Sequence, residues 1–116
     1  MLDLTKYDSK RYDDDLYNCL HFAVDIYRDI TGRDMGVYVD DLMTGRTKRK
    51  VNTAKLKEFA QLDKPVDPCL ALMHGKELHA GIYHQAKIIH MTESGPQCVP
   101  PHIATLKHGR IKYYAL

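Results

Sequence analysis

Several things are scarce in this chain of 116 residues, and each scarcity removes a class of protein. No apolar run approaches the ~20 residues that a membrane-spanning helix requires, so no membrane insertion is expected. The opening MLDLTKYDSKRYDDD lacks the charged-then-apolar layout of a secretory signal. Synthesis in a cytoplasm without Sec export is the default expectation, with a virion as another route out. A large excess of one charge sign is also missing. The net charge is +2, too small to imply nucleic acid. The one basic run, Arg46-Thr47-Lys48-Arg49-Lys50, has no aromatic residues interleaved for base stacking. It reads as a solvated loop, with an anionic partner as the minor alternative. Cysteine is sparse, at Cys19, Cys69 and Cys98. An odd, widely spaced set without CxxC is neither a disulfide framework nor a zinc knuckle. Neither HxxxH nor HExxH occurs, so no helical zinc site is expected, and no metal or cofactor is assigned.

What remains is one small domain, residues 1–116, with a single core. Apolar residues make up 44% and charged residues 28%, an ordinary globular balance that argues against disorder. Histidine is plentiful, with seven in the chain.

Residues 1–13 read as a polar arm with tyrosines. Asp13, Asp14 and Asp15 supply N-cap and first-turn acids. Leu16, Leu20, Ala23, Val24, Tyr27 and Ile30 then recur at helical spacing, and Gly32 follows as a stop. The spacing predicts a helix over 14–31, with Cys19 near its start. Residues 33–51 read as loop. Thr53 caps a predicted helix over 53–62, and the two prolines of DKPVDP, 63–68, hold a loop. Strands follow at CLALMH (69–74), LHAGIYH (78–84) and KIIHMT (87–92), with a short extended piece within ESGPQCVPP. PHIATLK (101–107) opens with proline and reads as helical, and RIKYYAL (110–116) is a last strand. A helix followed by short antiparallel strands gives an α+β domain.

Two histidines have a predictable relation. A two-residue turn at His84-Gln85 pairs residue 79 with residue 90, which puts both side chains on one face ~5 Å apart. A four-residue loop would leave them diagonal on that face, and a three-residue loop would separate them. Gly81 leaves room beside His79 for another backbone or a ligand. A cysteine hydrolase needs a thiolate, an imidazole to take its proton, and a third polar group to orient that imidazole. Cys19, His79 and His90 could fill those roles, with the Cys19 N–H and a side-chain donor binding the oxyanion. The plain alternatives are a small core cysteine and a structural histidine pair. His21, two positions from Cys19, points to another helix face and belongs to the substrate side or the groove rim. Cys69 is expected in the core and Cys98 as structural or exposed. His74, His84, His102 and His108 are expected at the surface. One of Tyr113 and Tyr114 is expected in the core.

These residues resemble the NlpC-type cell-wall peptidases, a papain-like family. Members show a tyrosine, then DCSGFV opening a helix about a dozen residues later, and later HVGIY followed by a small turn and hIH. Here Tyr7 stands twelve residues before Cys19, NCLHFA occupies the cysteine motif, and HAGIYHQAKIIH looks like the histidine motif. The resemblance implies a nucleophile helix packed on a small antiparallel sheet. It makes Cys19 the nucleophile, His79 the base and His90 the orienting residue, with Tyr7 on the oxyanion or substrate side near Asn18. The implied reaction is metal-free hydrolysis of amide bonds in peptidoglycan stem peptides. The short length, the YNCLHFA variant and the closing GRIKYYAL look most like small versions from tailed-phage tail modules, with other tail proteins as partners. Departures are Asn18 for Asp, Leu20-His21 for Ser-Gly, and DSKRYDDD where Gly-Gly follows the tyrosine. They leave the trio intact and put the substrate preference in doubt. The rival expectation is a non-catalytic structural or assembly protein of a tail tip on the same fold. A lipid or thioester acyltransferase would use the same chemistry but would want a wide apolar channel.

Overall fold

A computed structural model describes residues 15–36, 43–44, 50–51, 59–75, 78–92 and 94–116. Helix α1 runs from Asp15 to Thr31. Its apolar positions recur three and four apart, so Cys19, Leu20, Ala23, Ile26 and Tyr27 form one buried stripe. The helix stops at Gly32, whose φ of 77° is a left-handed conformation that glycine adopts at little cost. The Gly32 N–H donates to the Arg28 carbonyl at 2.7 Å.

The chain then builds one six-stranded antiparallel sheet. Its strands are β3 (Gln61–Leu62), β4 (Cys69–His74), β5 (Leu78–His84), β6 (Lys87–Thr92), β7 (Gly95–Val99) and β8 (Arg110–Tyr114). They lie in the order β3-β8-β4-β5-β6-β7. Helix α2 (Pro101–His108) connects β7 to β8. The expected strands and both outer helices therefore form, which makes the chain an α+β domain.

Two expectations need correction. Residues 33–51 are not all loop, because β1 (Met43–Thr44) pairs antiparallel with β2 (Lys50–Val51). Of the helix expected over 53–62, residues 53–58 lie outside the described residues, and Gln61 and Leu62 are strand, paired with Tyr114 and Tyr113. The Ala115 N–H donates to the Ala60 carbonyl at 2.9 Å, so this segment satisfies its backbone against β8 rather than within a helical turn.

Alternation along each strand sorts side chains onto two faces. Leu70, Leu72, Ala80, Ile82, Ile89, Met91 and Tyr114 pack with the buried stripe of α1. Ala71, Met73 and Ile88 point the other way and pack with Ala104 of α2, flanked by Tyr83, Ile111 and Tyr113. The central strands are thus covered on both sides. Leu20, Ile26, Leu70, Leu72 and Ile82 are essentially fully buried, each contributing about 1.5–3 kcal/mol of transfer free energy. Cys69 is core and Cys98 exposed. Of the two tyrosines, Tyr114 is the core residue and Tyr113 is half-buried on the α2 face.

The β5–β6 hairpin turns at Gln85-Ala86, one residue later than the sequence suggests. Both residues have positive φ, 52° and 63°, as a two-residue type I′ turn requires. Asp67 holds this turn from outside. Its carboxylate accepts the Gln85 N–H at 2.8 Å and bonds His84 Nδ1, which leaves His84 half-buried. The register pairs Ile82 with Ile89 and Tyr83 with Ile88.

Helix α2 is seated by a contact between two glycines. A Cβ at Gly109 would lie 2.6 Å from Gly75 Cα, and one at Gly75 would lie 2.5 Å from the His108 carbonyl oxygen. The end of α2 therefore touches the β4–β5 connection backbone to backbone. Gly75→Ala is expected to destabilise the domain by about 1–3 kcal/mol, as overpacking of a tight contact does. Urea unfolding followed by circular dichroism checks this, and a midpoint equal to that of the wild type would refute the contact.

Candidate functional site

The α2 face of the sheet carries the chain's densest group of titratable side chains among the described residues. Each member is placed by an element already described. His79 lies opposite Met73 on β5, so it shares the face of Ala71, Gly81 and Tyr83. His90 lies two residues beyond Ile88 on β6, opposite Gln97 of β7, and so points to that same face. His108 is the last residue of α2, one turn beyond buried Ala104.

His79 and His90 are diagonal rather than directly opposite, because the turn sits at Gln85-Ala86. Their rings meet all the same. His79 Nε2 and His90 Nδ1 are 2.8 Å apart, a hydrogen bond in which one ring donates and the other accepts. Gly81 makes the approach of β6 possible. A Cβ there would stand 2.9 Å from the Ile89 carbonyl oxygen and 3.1 Å from His90 Cβ. The space beside His79 is thus filled by neighbouring backbone.

His108 completes the group. Its ring stacks on His79 with centroids 4.2 Å apart and planes at 16°. His90 stands edge-on to both, at 5.0 Å from His79 and 5.1 Å from His108. One ring nitrogen from each of the three residues lies within 4.8 Å of the others. The surface placement expected for His108 does not hold, since the glycine contact presses the end of α2 onto the sheet. A signal for it existed, because His108 follows Ala104 by four residues and so shares its helix face. His74 and His102 are at the surface as expected.

Burial sets the electrostatics. His79 is 5% exposed and His90 0%. Desolvation, then the neighbouring His108 and His90, push the His79 pKa down to about 3. Desolvation, then His108 and Lys107, push that of His90 down to about 4. Burial and Lys107 lower His108 as well. All three imidazoles are therefore neutral near pH 7. A base held this low is poorly matched to taking a thiol proton at neutral pH. Neutral imidazole is, however, the form that ligates metals. His90 Nε2 and His108 Nε2 are buried and have no hydrogen-bond partner among the described residues.

Cys19 is not part of this group. It faces the sheet from the α1 side, within the cluster of Ala80, Ile82 and Ile89. His79 and His90 point to the opposite face, so the backbone of the sheet stands between the thiol and the imidazoles. Tyr7 and the side chain of Asn18 lie outside the described residues. His21 is half-buried on α1.

Comparison of the chain with family models, curated proteins and solved structures finds no match in any of the three.

The depressed histidines make stability depend on pH in a definite direction. Below the ordinary value of 6.5, the unfolded chain binds protons that the folded rings refuse. Stability is therefore full above about pH 6.5 and falls as the pH drops toward 4. A tenfold loss of proton affinity is worth about 1.4 kcal/mol, so even that much at each of two rings costs about 3 kcal/mol. Denaturant midpoints of EDTA-treated protein between pH 7.5 and 4.5 are expected to fall. The fall should be shallower in His90→Gln. A wild-type midpoint flat across that range would show that these rings are not held neutral.

Proposed function

We propose that the chain is a binding and assembly domain of a phage tail, built like an NlpC-type domain but not working as a thiol hydrolase. The observation that carries this reading is the separation of Cys19 from His79 and His90 by the sheet. An acyl-enzyme mechanism needs the sulfur within hydrogen-bond reach of its base, and no ring rotation carries an imidazole through a strand. The place in a tail is supported by the resemblance of YNCLHFA, HAGIY…IIH and GRIKYYAL to the small domains of tail modules. Other tail proteins are the partners it implies.

A second reading is favoured by one specific feature. His79 bonds His90 through Nε2, which leaves Nδ1 as the nitrogen that would face a nucleophile. That is the division of labour between base and orienting group in a cysteine amidase or endopeptidase acting on peptidoglycan stem peptides.

The pH dependence of Cys19 alkylation by iodoacetamide separates the two. Peptide mapping resolves Cys19 from Cys69, and exposed Cys98 serves as an internal standard. The assembly reading expects slow labelling of Cys19, with no acceleration below the free-thiol pKa of about 8.5 and a His79→Ala rate within about twofold of wild type. Rapid labelling near neutral pH, slowed about tenfold or more by His79→Ala, would instead establish an activated nucleophile. Peptidoglycan fragments would then be the substrates to try.

A further inference from the structure

Three imidazoles converge on the α2 face of the sheet. His79 and His90 come from the two arms of the β5–β6 hairpin, and His108 comes from the end of α2. Stacking and the 2.8 Å bond between His79 and His90 account for part of the arrangement. They do not account for the two nitrogens left over. His90 is 0% exposed, yet its Nε2 has no hydrogen-bond partner among the described residues, and the same holds for the buried Nε2 of His108. An unmet buried polar atom is costly, because it has given up its hydrogen bonds to water without replacing them. Two of them beside a third imidazole form a donor set.

We propose that His79, His90 and His108 bind a divalent transition-metal cation of the zinc class, which fastens the end of α2 to β5 and β6. Three nitrogen donors suit zinc, and also cobalt, nickel and copper, better than the hard cations that take oxygen ligands. The metal–nitrogen distance for zinc is about 2.0–2.1 Å, which sets tetrahedral donors about 3.3 Å apart. One ring nitrogen from each of the three residues lies within 4.8 Å of the others. Rotation of the half-buried His108 ring at the end of its helix is the adjustment that closes the remainder. Because the rings are neutral, the cation displaces no proton from a charged ligand. Lys107 is the cation nearest in sequence, and it is exposed, so solvent and salt screen its repulsion. Three protein ligands leave one tetrahedral position for water or for a group from a partner. This site stands apart from the assembly reading, since it invokes neither Cys19 nor a tail partner.

The test is titration of the full chain, stripped with EDTA, with zinc alone and then with cobalt as a spectroscopic probe. The expected result is one equivalent bound, a melting temperature that rises with zinc concentration, and the visible absorption of tetrahedral cobalt. His108→Ala changes a half-buried helix end and is expected to fold. It should weaken binding by about a hundredfold or more, beyond the 10–100-fold that loss of a supporting residue costs. His90→Ala should do the same, with circular dichroism reporting its fold. The surface variants His74→Ala and His102→Ala should bind as wild type does, and so should Cys19→Ser. Absence of stoichiometric binding by folded wild type overturns the proposal. So does binding that survives His108→Ala, or that is lost in His74→Ala, His102→Ala or Cys19→Ser. None of these outcomes alters the alkylation result, so the two readings fail separately.

Discussion

The structure depends on β5 and β6 being covered on both faces. A strand buried on one side only can send its polar residues to water. These two cannot, because α1 lies over one face of the hairpin and α2 over the other. Residues 88–91 of β6 are all buried as a result. Every side chain that alternates through this stretch must therefore find a partner inside the protein. The apolar members do so by simple packing. His79 and His90 do so in part, by bonding to each other and by lying against His108, while His90 Nε2 has no partner among the described residues.

That arrangement ties the sheet to the helix through chemistry as well as packing. Burial drives the rings neutral, and a neutral ring has one N–H and one lone pair to satisfy. The bond between His79 and His90 uses one nitrogen from each ring. The close contact of Gly75 with Gly109 then fixes how far His108 can withdraw. The turn at Gln85-Ala86, held by Asp67, sets the diagonal offset that lets the two strand histidines meet at their ring edges. Local backbone details far apart in the sequence thus converge on the same few ring atoms.

Much of this was legible in the sequence. Period and punctuation located α1, β4, β5, β6, α2 and β8 to within a few residues, because Gly32, Pro101 and the apolar alternation are strong local signals. The placement of His79 and His90 on one face followed from period two together with an even-numbered hairpin loop. The turn position did not, because the clamp on it comes from Asp67, well upstream of the hairpin. The strand at Gln61-Leu62 was hidden for the same kind of reason. Its partner is the far end of the chain, and its composition carries a helical pattern just before it. The burial of His108 is only half legible, since its spacing from Ala104 gives its helix face, while the glycine contact that presses the helix end onto the sheet has no local signal.

The face taken by the imidazoles was the least legible feature, and its physical reason is specific. In a sheet exposed on one side, hydrophobicity decides orientation, since a one-residue slip sends the apolar set into water. Here β4 is apolar at every position from Cys69 to Met73, and both of its faces are buried. Alternation therefore says that His79 and His90 share a face but not which one. The choice rests on what each helix offers. Toward the sheet, α1 presents Leu20, Ala23, Ile26 and Tyr27 around Cys19, a surface of mostly large apolar groups with a thiol that is only a weak hydrogen-bonding partner. On the other side α2 presents small Ala104 and a third imidazole. Ala80, Ile82, Ile89 and Met91 fill the space beneath α1 without leaving a polar atom unmet, whereas the histidines find beneath α2 a ring to stack on and room to stand edge-on. The same preference that gathers the three imidazoles removes them from Cys19, so in this fold a histidine centre and a thiol–imidazole dyad are competing outcomes of one packing decision.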